Sequence, residues 1–374
     1  MFAEEDEAYL TKQLISYMGN KRRLLPLLAD GLRIPLDRLG KEKLSILDGF
    51  SGSGVCSRFF KRYASQLIAN DLQPYAATLS QCYLRNRSEI DIPDLRSTIS
   101  ELRRLKLAPC DGFFQSMYAP KDEANIQPND RVFFTRRNAL ILDNVCRTAQ
   151  SLDVGLRPLI LGPLLSETSI HSNTAGHFKS FLKDRNTKIG CYGGASGAER
   201  DVITADIEVL SPVLSRYETD CVVHCKDICD LVASLDEIDV AYFDPPYEAQ
   251  PYGYLYFMLD LLVTYQRPVE VSEVAGVPQD WVRSQFSTEK DTLHLIVDLV
   301  QKTKARFVLL SYSNEGQIAP ERLKAALGSL GKLTVLEKAH PRMNSAINSD
   351  ANKTRGRKGT KPMVVELLYI LEKA

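Results

Sequence analysis

Residues 240–250 read VAYFDPPYEAQ, a run of apolar side chains that passes directly into a carboxylate, two prolines and an aromatic ring. Asp244 can accept hydrogen bonds from a polar substrate group, Pro245 and Pro246 stiffen the main chain beside it, and Tyr247 offers a flat face for stacking. The preceding segment, Ile238 to Phe243, is rich in β-branched and aromatic residues and reads as a short buried strand. Pro245 must end it, because proline has no amide hydrogen for a central ladder. Asp244 is therefore expected at the carboxyl end of a strand, where open α/β sheets place their ligand crevices. An Asp-Pro pair alone is equally an ordinary turn. A second constellation is needed to give it chemical meaning.

That constellation lies upstream, in KLSILDGFSGSGVCSRFFKRYASQLIAND. Leu44 to Leu47 read as a strand, Gly49 to Gly54 as a small-residue turn, and Val55 to Tyr63 as a helix. Glycines in a strand-to-helix turn permit positive φ and let a ligand approach the backbone. Gly52 and Gly54 form a GxG core, but no third glycine stands at the dinucleotide-fingerprint position and no Gly-Lys-Ser/Thr follows, so phosphate binding is unsupported. Asp71 ends the next apolar segment, SQLIAN, and is placed to accept hydrogen bonds from both hydroxyls of a ribose. Together, Asp48, the glycine turn and Asp71 point to an adenosine-containing cofactor without a pyrophosphate.

Size and charge set wider bounds. The chain has 374 residues, enough for one large and one smaller domain. Its 47 basic and 47 acidic residues cancel, so the molecule as a whole offers no pull on a polyanion. Local basic clusters at 19–23, 96–106, 131–137 and 352–361 could line one positive groove. The acidic start, MFAEEDEAYLTK, lacks an export-signal pattern, and no apolar run reaches the roughly 18 residues of a membrane span, so a cytoplasmic protein is expected. Eight cysteines in a cytoplasmic chain read as free thiols. Cys221, His224, Cys225 and Cys229 do not have the spacing of a structural zinc site, and no metal is expected.

The pairing of LD-x-FSGSG with FDPPY resembles the amino-methyltransferases that use S-adenosyl-L-methionine, specifically the Dam-like, or D12, class of DNA adenine-N6 methyltransferases. The resemblance implies an α/β fold: a Rossmann-like methyltransferase sheet with an inserted, largely helical target-recognition domain. It divides the chain into a catalytic, cofactor-binding part, residues 1–80 and 211–374, and an inserted DNA target-recognition part, residues 81–210. YMGNKRRLLPLL, 17–28, is similar to the class's N-terminal cofactor motif, which implicates Tyr17, Gly19 and Lys21. By the same resemblance Asp48, Phe50, Gly52, Gly54 and Asp71 surround the cofactor, with Lys21 serving its methionine carboxylate. HCKDICDL, 224–231, stands where the class has the strand end beside the cofactor adenine; Asp227 or Asp230 could be the acid there, and Asp227 follows the apolar strand more closely. FVLLSYSNEG, 307–316, matches a later sheet strand. One departure is Gly49, where the class usually has proline.

The same likeness supplies partners. Within the insertion, HSNTAGHFKSF is similar to a stretch of the class near DNA, which makes Asn173, Gly176, Phe178 and Lys179 candidates. Near the C-terminus, HPRMNSAINSDANKTRGRKGTK leads into the strand MVVELLYI, suggesting a hairpin whose loop offers Arg355, Arg357 and Lys358 to the phosphate backbone. Double-stranded DNA is the implied partner, and a restriction endonuclease acting on the same site is compatible with the class.

The chemistry implied is site-specific methyl transfer to adenine N6 after base flipping, with Asp244, Pro245, Pro246 and Tyr247 as the catalytic set. Three alternatives stay open: a cytosine-N4 enzyme, an RNA adenine-N6 enzyme, and a non-catalytic DNA-binding subunit with the same fold. Cytosine-N4 enzymes more typically carry serine at the position of Asp244, which favours adenine.

Overall fold

The computed structural model describes residues 5–197, 199–246, 251–288, 292–341 and 363–373. Seven strands form one sheet: β1 (Leu44–Asp48), β2 (Ala64–Asp71), β3 (Asp220–Cys225), β4 (Ile238–Phe243), β5 (Ala305–Ser313), β6 (Gly331–Pro341) and β7 (Met363–Lys373). Their spatial order is β3-β2-β1-β4-β5-β7-β6. The ladders from β3 to β5 are parallel, and β7 runs antiparallel to both β5 and β6. This is a Rossmann-like methyltransferase sheet with long helical segments inserted before β3.

The central strands β1, β4 and β5 are buried on both faces, and their side-chain alternation sorts them into two apolar layers. Leu47, Ala241, Phe243, Val308 and Leu310 belong to one layer with the helices Ile228–Ser234 and Thr292–Lys302. Ile46, Val240, Tyr242, Phe307 and Leu309 belong to the other with the helices Leu25–Leu39 and Val55–Phe60. The strand over 238–243 has the expected limits, and Asp244 follows it directly. The helix expected to reach Tyr63 stops at Phe60: the Tyr63 amide turns back to the Phe60 carbonyl at 2.8 Å, and Leu44 N–H takes the Tyr63 carbonyl at 3.0 Å.

The long middle segment carries the helices Ile92–Leu105, Arg136–Gln150 and Arg157–Ile170. Their buried faces do not form a separate core. Leu142, Val145 and Leu161 join one cluster with Tyr75 and Leu79 of the helix Pro74–Tyr83 and with Leu255 and Met258 of the helix Tyr252–Thr264. Asp260 interrupts that last apolar helix for a visible reason: its Oδ1 accepts the Tyr75 amide at 3.0 Å and pins the two helices together. No described helix is long and apolar enough to cross a membrane.

The order of connections reverses beside β1. The chain leaves β1 toward β2 and β3, then returns to lay β4 and β5 on the other side. Loops leaving the carboxyl ends of β1 and β4 therefore diverge, and a crevice opens between them.

Candidate active site

Asp48 closes β1 with its side chain fully buried. Its Oδ2 accepts the Ser57 hydroxyl at 2.5 Å, while Oδ1 is buried without a hydrogen bond of normal geometry. Burial pushes its carboxyl up to about 7; the Ser57 bond opposes this, and the neighbouring charges of Asp244 and Asp71 add to it.

The glycine turn follows. Gly52 has φ +51°, and a Cβ there would lie 2.6 Å from the Tyr17 hydroxyl, so this position needs glycine both for its conformation and for the close approach of Tyr17. Gly54, at φ +74°, caps the helix Val55–Phe60 with open space on its Cβ side. Asp71 braces the turn: Oδ2 accepts the Gly52 amide at 2.7 Å and Oδ1 the Gln73 amide at 2.9 Å. Burial raises its pKa, opposed by the amides of Gln73 and Gly52.

Asn70, beside it, clamps the loops of three strands. Its Nδ2 donates to the carbonyls of Gly49 (3.3 Å) and Lys226 (3.1 Å), and its Oδ1 accepts the Lys226 amide at 3.2 Å.

These loops line a cleft of about 890 Å³, counting the space it leaves open to solvent. Tyr17, Gly19, Lys21, Phe50, Gly52, Asp71, Asp227, Asp244, Pro245 and Pro246 all line it. Asp48 and Gly54 are not on the wall themselves but are the chain neighbours of the lining residues Gly49, Ser53 and Val55. Asp227 caps the helix Ile228–Ser234 through the Cys229 amide at 2.9 Å. Asp230, in the first turn of that helix, is not on the cleft wall. Tyr247, Arg355, Arg357 and Lys358 lie outside the described residues.

Lys21 is placed differently from its expected use. Its side chain is 3% exposed, and its ammonium lies 3.0 Å from Asp244 Oδ1 and 3.8 Å from Glu366 Oε2. In this structure it is the counter-ion of an acid pair. The Asp244 carboxyl is pushed up to about 6 by burial; Lys21 holds it down, and Glu366 raises it.

Several cleft residues carry no motif. Phe286, from the short helix Gln285–Thr288, meets Phe50 edge-on with centroids 5.2 Å apart, and Phe50 meets Phe243 in the same manner at 6.2 Å. These rings and Ile228 make an apolar wall beside Asp227. Opposite, Tyr17 packs against Tyr252 and Tyr256 at 5.1 and 5.2 Å. The Tyr256 hydroxyl bonds the Met18 amide at 3.0 Å, and the Tyr252 hydroxyl donates to the Met18 carbonyl at 3.2 Å.

One expected DNA contact lies inside the protein. Asn173 is fully buried: Nδ2 donates to the carbonyls of Val132 (2.8 Å) and Cys191 (3.1 Å), and Oδ1 accepts the Gly193 amide at 3.0 Å. Its amide is thus engaged inside the protein, where it braces the insertion. Phe178 is likewise in the apolar core. Lys179 is half-buried. Gly176 lies against Ser16, next to the cleft residue Tyr17, which sets this segment beside the cleft. Among the described residues, no group of His, Cys, Asp and Glu side chains is arranged to hold a metal.

The residues fit an adenosine-type cofactor with a positive centre. Glycines of the turn, an apolar wall and the acids Asp71, Asp227 and Asp244 surround the space.

Comparison with known proteins agrees with this geometry. Residues 17–154 match the family model described as D12 class N6 adenine-specific DNA methyltransferase. The chain is 25% identical over 369 residues to Type II methyltransferase M.NlaIII of Neisseria lactamica, covering 96% of this chain and 99% of that one. It is 22% identical over 346 residues to Type II methyltransferase M.CviAII of Paramecium bursaria Chlorella virus 1, covering 90% and 95%. With Modification methylase StsI of Streptococcus sanguinis it shares 23% identity over 375 residues, 96% of this chain and 52% of that protein. Sheet order, glycine loop and acid positions agree with this likeness to methyltransferases, which the D12-class family model carries over residues 17–154.

Proposed function

We propose that the protein transfers a methyl group from S-adenosyl-L-methionine to adenine N6 in duplex DNA, at a specific site and after base flipping. The observation that carries this reading is Asp244, followed by two prolines, at the carboxyl end of β4 on the wall of the cleft. When bound, S-adenosyl-L-methionine supplies an electrophilic methyl group on a sulfonium centre. Asp71 is suited to its ribose hydroxyls, because each oxygen keeps a lone pair beyond the amide it already accepts. Phe50, Phe286 and Ile228 suit a flat base, and Asp227 an exocyclic amine.

An exocyclic adenine nitrogen is a poor nucleophile, since its lone pair is delocalised into the ring. Hydrogen bonds from its two hydrogens to the Asp244 carboxylate and the Pro245 carbonyl would hold the nitrogen partly pyramidal and aim the lone pair. The fixed φ of the prolines removes freedom that would blur the aim. Orientation carries much of the advantage, since misplacement by about 1 Å can cost roughly a hundredfold. The nitrogen would gain its bond to the methyl carbon as the carbon–sulfur bond breaks and S-adenosyl-L-homocysteine leaves as a neutral thioether, and the surplus proton on nitrogen would pass to Asp244 or to solvent. Tyr247, next in sequence, is proposed to stack on the flipped base.

We further assign residues 81–210 to target recognition, with Lys179 as a candidate contact. The basic stretch with Arg355, Arg357 and Lys358, between β6 and β7, is assigned to the phosphate backbone. A restriction endonuclease of the same specificity is a compatible partner, in keeping with the relatives named as Type II methyltransferases.

The test is radiolabel transfer from S-adenosyl-L-methionine to duplex DNA, with the product nucleoside identified by mass. N6-methyladenine in duplex substrate is the expected product. N4-methylcytosine alone, or transfer to RNA alone, would keep the site and change the substrate; no transfer with retained DNA binding would make the chain a non-catalytic subunit.

A further inference from the structure

Glu366 belongs to none of the recognisable motifs. It stands on β7, paired with Ser313 of β5, two strands away from Asp244. Yet Glu366 converges with the cleft-lining Lys21 and Asp244, with side chains 8%, 3% and 17% exposed. Lys21 is delivered by the turn Lys21–Leu24, which leads into the helix Leu25–Leu39, and that helix packs on β6 and β7. Three remote segments thus bring two acids to one buried ammonium.

The two distances, 3.0 Å to Asp244 and 3.8 Å to Glu366, differ by less than a bond length. A small rotation of the lysine side chain exchanges its closer partner. This matters because Asp244 has two incompatible duties. While the cleft is empty of substrate, a buried carboxylate needs a counter-ion. When a target amine arrives, a hydrogen directed at Oδ1 competes with the lysine for that oxygen. Moving Lys21 off Asp244 takes a counter-charge away from a buried ammonium, and Glu366 stands ready to supply another.

We propose that Glu366 is a positioning residue of the transfer site, the alternative counter-ion that holds Lys21 when Asp244 Oδ1 turns to the incoming amine. The proposal rests on the methyl-transfer reading of the cleft and extends it to a residue outside the motifs. The other groups facing Asp244 are Asp48 at the end of β1, Cys56 on the helix Val55–Phe60, and Tyr242 on β4. Burial raises the pKa of the Cys56 thiol and the Tyr242 phenol, which keeps both neutral near pH 7, and Asp48 is common to every variant compared.

Glu366→Gln keeps the shape and removes the charge, so Lys21 should lock onto Asp244. In the full-length protein, with cofactor and DNA saturating, single-turnover transfer should fall roughly 10- to 100-fold. Cofactor affinity should stay unchanged. Glu366→Asp should recover part of the loss. The double variant Lys21→Gln/Glu366→Gln should lose less than the product of the single losses, because the cation needing a home is gone.

Titration of the Asp244 carboxyl by ¹³C NMR, assigned by difference against Asp244→Asn, is a readout that needs no activity. In Glu366→Gln its midpoint should move down, since a neighbouring negative charge is removed and the ammonium turns fully toward Asp244. Unchanged transfer in Glu366→Gln would overturn the proposal, and so would a rate loss with an unshifted Asp244 titration, which marks mere structural damage. If the wild-type chain transfers no methyl group to any DNA, the methyl-transfer reading fails, while the titration still decides whether the two acids share Lys21.

Discussion

The Gly52 amide donates to Asp71 Oδ2 at 2.7 Å, so the acid that closes β2 also holds the glycine turn that follows β1. Asp71 therefore acts twice, as a brace for the turn and, in our reading, as the acceptor for ribose hydroxyls. Asp71→Ala should weaken binding of S-adenosyl-L-methionine by about 1.5–3 kcal/mol, the worth of a hydrogen bond to a charged group. Asp71→Asn keeps one acceptor and should fall between. Calorimetric titration measures both, and unchanged affinity in Asp71→Ala would remove the residue from the cofactor site.

What was legible in the sequence follows from how local the cause is. The run from Ile238 to Phe243 ends where it does because of Pro245, and the glycine turn is recognisable because positive φ leaves a trace in residue type. Phe286, Tyr252 and Glu366 left no such trace. They reach the cleft or its rear only through the packing of segments remote in sequence, and an aromatic or acidic residue off a motif looks like any other. Asn70 stands beside Asp71 in the segment SQLIAN, yet its role in clamping three loops needs the register of β1, β2 and β3. Asn173 is the opposite case. A polar residue in a polar stretch suggests an exposed contact, whereas here it satisfies backbone groups that a looping chain would otherwise bury unpaired.

That internal role makes a prediction. Asn173→Ala leaves the carbonyls of Val132 and Cys191 and the amide of Gly193 short of a partner, and should destabilise the protein by about 1–3 kcal/mol. Urea unfolding should show a lower midpoint. The preferred DNA sequence should be the same for the molecules that remain folded; a changed preference at unchanged stability would return Asn173 to the DNA interface.

Asp260 predicts a pH dependence of stability. Burial pushes its carboxyl up to about 8, with the Tyr75 amide opposing and Asp71 adding to the rise. A carboxyl whose pKa is raised in the folded state supports that state below the ordinary carboxylate range, and the support is lost as pH rises through about 8. Asp260→Asn keeps an oxygen for the Tyr75 amide and cannot ionise. Relative to wild type it should therefore gain stability between about pH 4 and about pH 8, with a constant difference above. Urea midpoints of the two proteins across this range test it. A difference that does not change with pH would mean that Asp260 titrates alike in the folded and unfolded chains.

Asp244 carries the most demanding prediction. Removing it leaves Lys21 beside Glu366, so Asp244→Ala does not strand the buried ammonium and should fold and bind cofactor. It should nonetheless lose most methyl transfer, because the amine hydrogens have no carboxylate to meet. Asp244→Asn retains one oxygen acceptor but not the charge that favours positive charge developing on nitrogen, and should be severely impaired in the chemical step with binding preserved. The wild-type enzyme needs the ionised form. With the carboxyl at about 6, transfer should rise as pH increases through that value and fall away below it, and Asp244→Asn should lack this acid limb. Single-turnover rates at saturating cofactor and DNA measure the step, with folding checked separately by circular dichroism. Full activity in folded Asp244→Ala would remove the residue from the mechanism. An acid limb that persists unchanged in Asp244→Asn would assign it to another group, with Asp48, pushed up to about 7, the next to test.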